Sequence, residues 1–85
     1  MTVRQYIMEH GWIGEDFTSK DFVNVKIYFI NDDNQEDATE FSIGAYKLNE
    51  LCDLFDEFCK DNNFDNDTVE GVEVTEVAKS MDELS

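Results

Sequence analysis

Residues 45–62 read AYKLNELCDLFDEFCKDN, and within them Leu48, Leu51, Cys52, Phe55, Phe58 and Cys59 recur at steps of three and four. That spacing places all six on one face of an α-helix, predicted over residues 48–61. The opposite face carries Glu50, Asp53, Glu57 and Asp61. A helix of this kind has one side that must be buried against another layer and one side that is a row of carboxylates.

The strand signals supply that second layer. Residues 22–30, FVNVKIYFI, alternate Val23, Val25, Ile27 and Phe29 with Phe22, Asn24, Lys26, Tyr28 and Ile30. Both faces are partly apolar, which marks a central strand. A polar turn over residues 31–37 leads to a second strand over 38–43, and residues 69–77 read as a third. At the start, Thr2 and Gln5 fit a capping box for a short helix over residues 3–10, with Gly11 at its end and His10 in its last turn. Tyr6, Ile7, Trp12 and Ile13 are expected to dock on the core, and residues 14–21 to form a loop. The expected architecture is a single α+β domain spanning residues 1–85, ordered α-β-β-α-β. It has a three-stranded antiparallel sheet and the main helix across one face. Residues 78–85 read as a frayed tail, with Met81 and Leu84 at a spacing that would let them dock.

Eighty-five residues suit one small domain, and seven Phe, three Tyr and one Trp argue for a packed core rather than an acidic disordered chain. The charge is −15, and it is unevenly placed. Residues 1–30 hold four acids against three bases, whereas residues 31–85 hold seventeen acids against three. Direct binding to nucleic acid is not expected on this balance, because phosphate contacts need Lys and Arg. A basic protein surface is the complementary partner, with solubility or a salt-rich habitat as the plainer explanation of the acidity. Cys52 and Cys59 lie roughly 10.5 Å apart along one helix, too far for a disulfide, and read as small core hydrophobes. No apolar run reaches membrane-span length and no signal-peptide pattern opens the chain, so a reduced, cytoplasmic protein is expected.

Chemistry finds little support. His10 is the only histidine, its helix-end position has a structural explanation, and nothing places it beside a nucleophile. The two cysteines lack zinc-clip spacing, and no glycine-rich turn precedes a helix. With Asp61 taken as the first position of a calcium loop, Asn63, Asp65 and Asp67 fall on ligand positions. Asn66 then replaces the turn glycine and Val72 the bidentate glutamate. An EF-hand is therefore rejected, leaving only a weak calcium site over residues 61–67 as an open question; no cofactor, no metal and no enzymatic activity are expected.

The helix acids carry more weight. Glu50, Asp53, Glu57 and Asp61 are neighbours at i,i+3 and i,i+4, and each like-charge pair costs roughly 0.2–0.5 kcal/mol. Asp56, Glu57 and Asp61 also lie toward the helix C-terminus, where cations are favoured. Charge runs are commonly just a solvated face, but this cost favours a binding use. The partner-binding set reads as Glu50, Asp53, Asp56, Glu57 and Asp61. Asp32, Asp33, Glu36, Asp37 and Glu40 on the hairpin and Glu70, Glu73 and Glu76 on the last strand extend the field. Trp12, Tyr28 and Tyr46 are candidate aromatic anchors.

The opening MTVRQYI, the strand-turn VKIYFINDD, the segment EFSIGAYKLNELCDLFDEFCKDN and the acidic format resemble small proteins of phages and conjugative elements in Gram-positive bacteria. Some of these are anti-CRISPR or anti-restriction proteins that imitate DNA. The resemblance implies a nucleic-acid-mimicking inhibitor of a host defence protein such as a CRISPR nuclease in a bacterial host cell; an exposed edge strand leaves both monomer and homodimer open. It assigns no functional residue. The alternative is an acidic interaction module, an adaptor or immunity protein, with a basic protein partner.

Overall fold

Strand β2, Phe22–Ile30, runs through the middle of the molecule in a computed structural model that describes residues 1–84. Val23, Val25, Ile27 and Phe29 point to one side of it and are fully buried. β3, Glu36–Gly44, pairs antiparallel with β2, and β4, Val69–Ala78, pairs antiparallel on its other side. β4 is bulged at two places, one between the partners of Asn24 and Val25 and one between those of Tyr28 and Phe29. Thr75 and Glu70 are the extra residues there, as one residue more on one strand than on its neighbour requires.

Both helices lie on the side to which Val23, Val25, Ile27 and Phe29 point. Helix α1, Val3–His10, opens with the capping box: Gln5 N–H donates to Thr2 Oγ1 and Thr2 N–H to Gln5 Oε1 at 2.8 Å. It closes at Gly11, whose φ of 68° suits glycine. A 3₁₀ turn, Ala45–Glu50, leads into α2, Leu51–Asn62. Leu48, Leu51, Phe55 and Cys59 are buried, and Cys52 and Phe58 half-buried, so the six apolar positions face inward together. Phe29 joins the layers, with its ring 5.6 Å from Phe55, 5.7 Å from Phe58 and 5.4 Å from Phe64.

The α+β class and the central position of β2 agree with the sequence reading. The sheet does not: with a further strand β1, Ile13–Gly14, it has four strands in the order β1-β4-β2-β3 and is mixed, not three-stranded and antiparallel. The added strand pairs parallel with β4, Ile13 opposite Glu73 and Gly14 opposite Val74. Two residues show no alternation, and Gly14 at φ 109° reads as loop in any sequence pattern. A Cβ there would collide with the Val74 carbonyl, so the close approach needs glycine. Trp12 and Ile13, expected in the core, are 39% and 42% exposed, because β1 lies at the sheet margin. The main helix starts later than expected, since residues 48–50 belong to the 3₁₀ turn. In the tail, Lys79 pairs with Asp21 at 3.3 Å and Met81–Glu83 forms one 3₁₀ turn. Leu84 is half-buried and Met81 44% exposed, while Ser85 lies outside the described residues.

Candidate partner-binding surface

The acids fall on two outer faces with different surroundings. On the helix side, Glu50, Asp53, Glu57 and Asp61 are exposed along the outer stripe of α2 and the turn before it. The side chains of these four make no hydrogen bond or ion pair among the described residues; the single ion pair there is Lys79–Asp21. Asp56 leaves this row. It is half-buried and accepts from Asn66 Nδ2 at 2.8 Å, so it fastens the loop after the helix. That loop also explains the oxygen-rich spacing noticed in the sequence. Asn63 ends α2 in the left-handed region at φ 58°, and Thr68 Oγ1 donates to the Ile30 carbonyl at 3.0 Å. Among the described residues no three His, Cys, Asp or Glu side chains converge as a metal site would require.

The reverse face of the sheet carries no α-helix among the described residues, and two of its acids, Glu40 and Glu76, accept side-chain hydrogen bonds. Lys26 stands between Glu40 on β3 and Glu73 on β4 by register, with its Nζ 5.3 Å from the Tyr28 ring centre. Glu76 Oε1 accepts from Asn24 Nδ2 at 2.9 Å, and Ser42 Oγ donates to Asn24 Oδ1. Asn24 is thereby buried on a polar row that crosses three strands. Glu40 Oε1 accepts from Thr75 Oγ1 at 3.5 Å. Glu70 is exposed at the bulge.

The hairpin acids lie at one end. Asp37 Oδ1 accepts its neighbour's N–H, from Ala38, at 2.8 Å, and Asn31 Oδ1 accepts from the N–H groups of Asp33 and Gln35. Asp32 shares a cleft with Asn63, Asp65 and Thr68 at the end of α2. Glu36 is exposed on the strand margin. Of the thirteen predicted residues, four form the helix row, Glu40, Glu70, Glu73 and Glu76 a sheet-face group and Asp32, Asp33, Glu36 and Asp37 a hairpin end, while Asp56 belongs to none of these.

Two features were not legible in the sequence. One is a groove of about 500 Å³ between β3 and α2, with Phe41, Ile43 and Leu54 in its walls and Lys47, Glu50, Asp53 and Glu57 along it. It depends on the register of β3 against the helix, which no local pattern encodes. The other is Asp21, a buried carboxylate that accepts from Thr18 N–H at 2.8 Å, from Thr18 Oγ1 and from Lys79. The Thr18 backbone bond, helped by Lys79, holds its carboxyl below the ordinary value against the opposing effect of burial. The thiols offer no nucleophile pair. Burial, reinforced by the charges of Asp56 and Asp65, pushes Cys59 up to about 11, and its Sγ lies 3.8 Å from the Asp65 carbonyl. His10 packs against Tyr6, ring centres 4.4 Å apart and tilted by 33°. Trp12, Tyr28 and Tyr46 are all exposed, Tyr46 most at 65%. Among the described residues no helix is long and apolar enough to cross a membrane.

No protein-family model, curated protein or solved structure matches this chain. The site is therefore read from its own geometry.

Proposed function

We propose that this protein is a non-enzymatic inhibitor that imitates a nucleic acid and occupies the basic nucleic-acid-binding cleft of a host defence protein, such as a CRISPR nuclease, in a bacterial cell. The observation that supports the reading most is the outer stripe of α2 and the turn before it. Its four carboxylates are exposed and bonded to nothing else in the described chain. They extend over roughly 17 Å of helix axis. Over that length one strand of duplex DNA presents about five phosphates, so the charge density is comparable. A groove lined with Lys and Arg would relieve their mutual repulsion, and attraction at a distance would speed encounter at low salt. Trp12, Tyr28 and Tyr46 are exposed aromatic anchors of the type that supplies affinity.

A second reading, an acidic adaptor or immunity protein, is favoured by the groove beside that stripe. Its apolar walls, Phe41 and Leu54, suit a protein side chain rather than a polynucleotide backbone.

The test uses immobilised protein and an extract of a bacterial host, with Asp53→Lys/Glu57→Lys as the comparison. The mimic reading expects recovery of a nucleic-acid-processing enzyme, its release by added duplex or single-stranded nucleic acid, and loss of capture by the variant with an unchanged circular dichroism spectrum. Capture that survives both the reversal and the competitor overturns it, and a basic partner indifferent to nucleic acid selects the second reading.

A further inference from the structure

We infer that the free edge of β3 is a docking site for an extended basic segment of a partner protein, which adds to the sheet as a fifth strand. β3 is the last strand in the order β1-β4-β2-β3. Its outward backbone groups follow from β2. Thr68 Oγ1 donates to the Ile30 carbonyl and Thr75 Oγ1 to the Asn24 carbonyl, so the even-numbered residues of β2 turn their backbone toward β4. The odd-numbered ones then bond β3 through Asp37, Thr39, Phe41 and Ile43, their partners in register. Ala38, Glu40 and Ser42 consequently face outward. Asp37 Oδ1 occupies the Ala38 N–H, whereas the N–H groups of Glu40 and Ser42 meet no partner among the described residues.

What covers this edge is specified by its surroundings. A strand laid along it would direct alternate side chains over the groove between β3 and α2, where Phe41 and Leu54 offer apolar contact and Asp53 and Glu57 await the ends of long cationic side chains. The remaining side chains would pass Glu36 and Glu40 on the other face. A second copy of this chain is disfavoured there, because it would set Glu36, Asp37 and Glu40 against the same carboxylates. The matching occupant is a segment that alternates Lys or Arg with apolar residues. The inference rests on the basic-partner element of the proposed function and adds a backbone contact that a nucleic-acid cleft alone does not require.

The probe is a nine-residue peptide alternating Lys and Val, compared with the same peptide N-methylated at every second residue, so that charge and side chains persist while one row of N–H donors is lost. Binding is read by calorimetry and amide hydrogen exchange on the full chain. At least tenfold tighter binding of the unmodified peptide than of the version methylated on the edge-facing row, with slowed exchange at Glu40 and Ser42, is the expected result. Equal binding of both methylated registers and the unmodified peptide, no binding at all, or protection confined to α2 overturns the edge inference. None of these outcomes decides the mimic reading, which stands or falls on displacement by nucleic acid.

Discussion

The two outer faces of this molecule are both acidic, and they use acidity differently. On the sheet, Glu76 accepts from the buried Asn24, and Glu40 and Glu73 flank Lys26. On the helix, Glu50, Asp53, Glu57 and Asp61 stand beside one another with no side-chain bond among the described residues. Glu76 helps hold the fold, and Lys26 offsets the charge of Glu40 and Glu73 across the strands. The helix acids oppose the fold through mutual repulsion, and Asp61 in the last turn also opposes the helix dipole, whereas Glu50 and Asp53 at the start of α2 are favoured by that dipole. A carboxylate that works against the fold is a better candidate for recognition than one that works for it, and net charge alone does not separate the two.

That contrast can be broken or sharpened experimentally. The largest effect is expected at the layer both faces share. Phe55→Ala removes a buried ring beside Phe29 and should cost about 3–5 kcal/mol, read as a lowered urea midpoint, with both faces lost together. Asn24→Ala strips the polar row on the sheet side of its buried centre and should cost about 1–3 kcal/mol by the same measurement. The sharpest comparison reverses one charge on each face. Asp61→Lys converts the repulsion with Glu57 to attraction and suits the helix C-terminus, so a gain of about 0.5–1.5 kcal/mol is expected. Glu73→Lys sets a cation opposite Lys26 and should lose about 0.2–1 kcal/mol. Opposite signs support the division of labour, and equal signs refute it.

The smallest effect is a pH dependence. Asp21 has a folded value lowered from the ordinary 3.8, with the Thr18 backbone bond as the leading cause. Its contribution is complete above that ordinary value and is lost as pH falls through the lowered one. Asp21→Asn should therefore flatten the acid limb of a plot of thermal midpoint against pH below about pH 4, without altering its shape near neutrality.

How much of this was readable in advance follows from how local each signal is. The capping box, the ends of β2 and the buried face of α2 are set by residues within one or two turns or one strand, and they appeared as expected. β1 is two residues long and exists only because β4 lies beside it. Asp56 sat on the same helix as the exposed row, yet its role depends on a loop that returns to place Asn66 next to it. Lys79 meets Asp21 across 58 positions, a separation at which sequence spacing carries no information. The candidate surface divided in the same way: helix periodicity placed its central row, while the groove beside it needed strand register.

The parallel pairing at Gly14 has one more consequence. Met1 and Glu15 bond β4 at Val69 and Val74, so the opening segment seals a margin that would otherwise be bare. A chain trimmed of that segment would expose two unsealed margins of one sheet, pointing in opposite directions. Joining such particles end to end would set Glu70, Glu73 and Glu76 of one margin against Glu36, Asp37 and Glu40 of the other, and this charge would oppose it. Truncation would thus leave edge-to-edge association held off by charge alone, a barrier that added salt weakens.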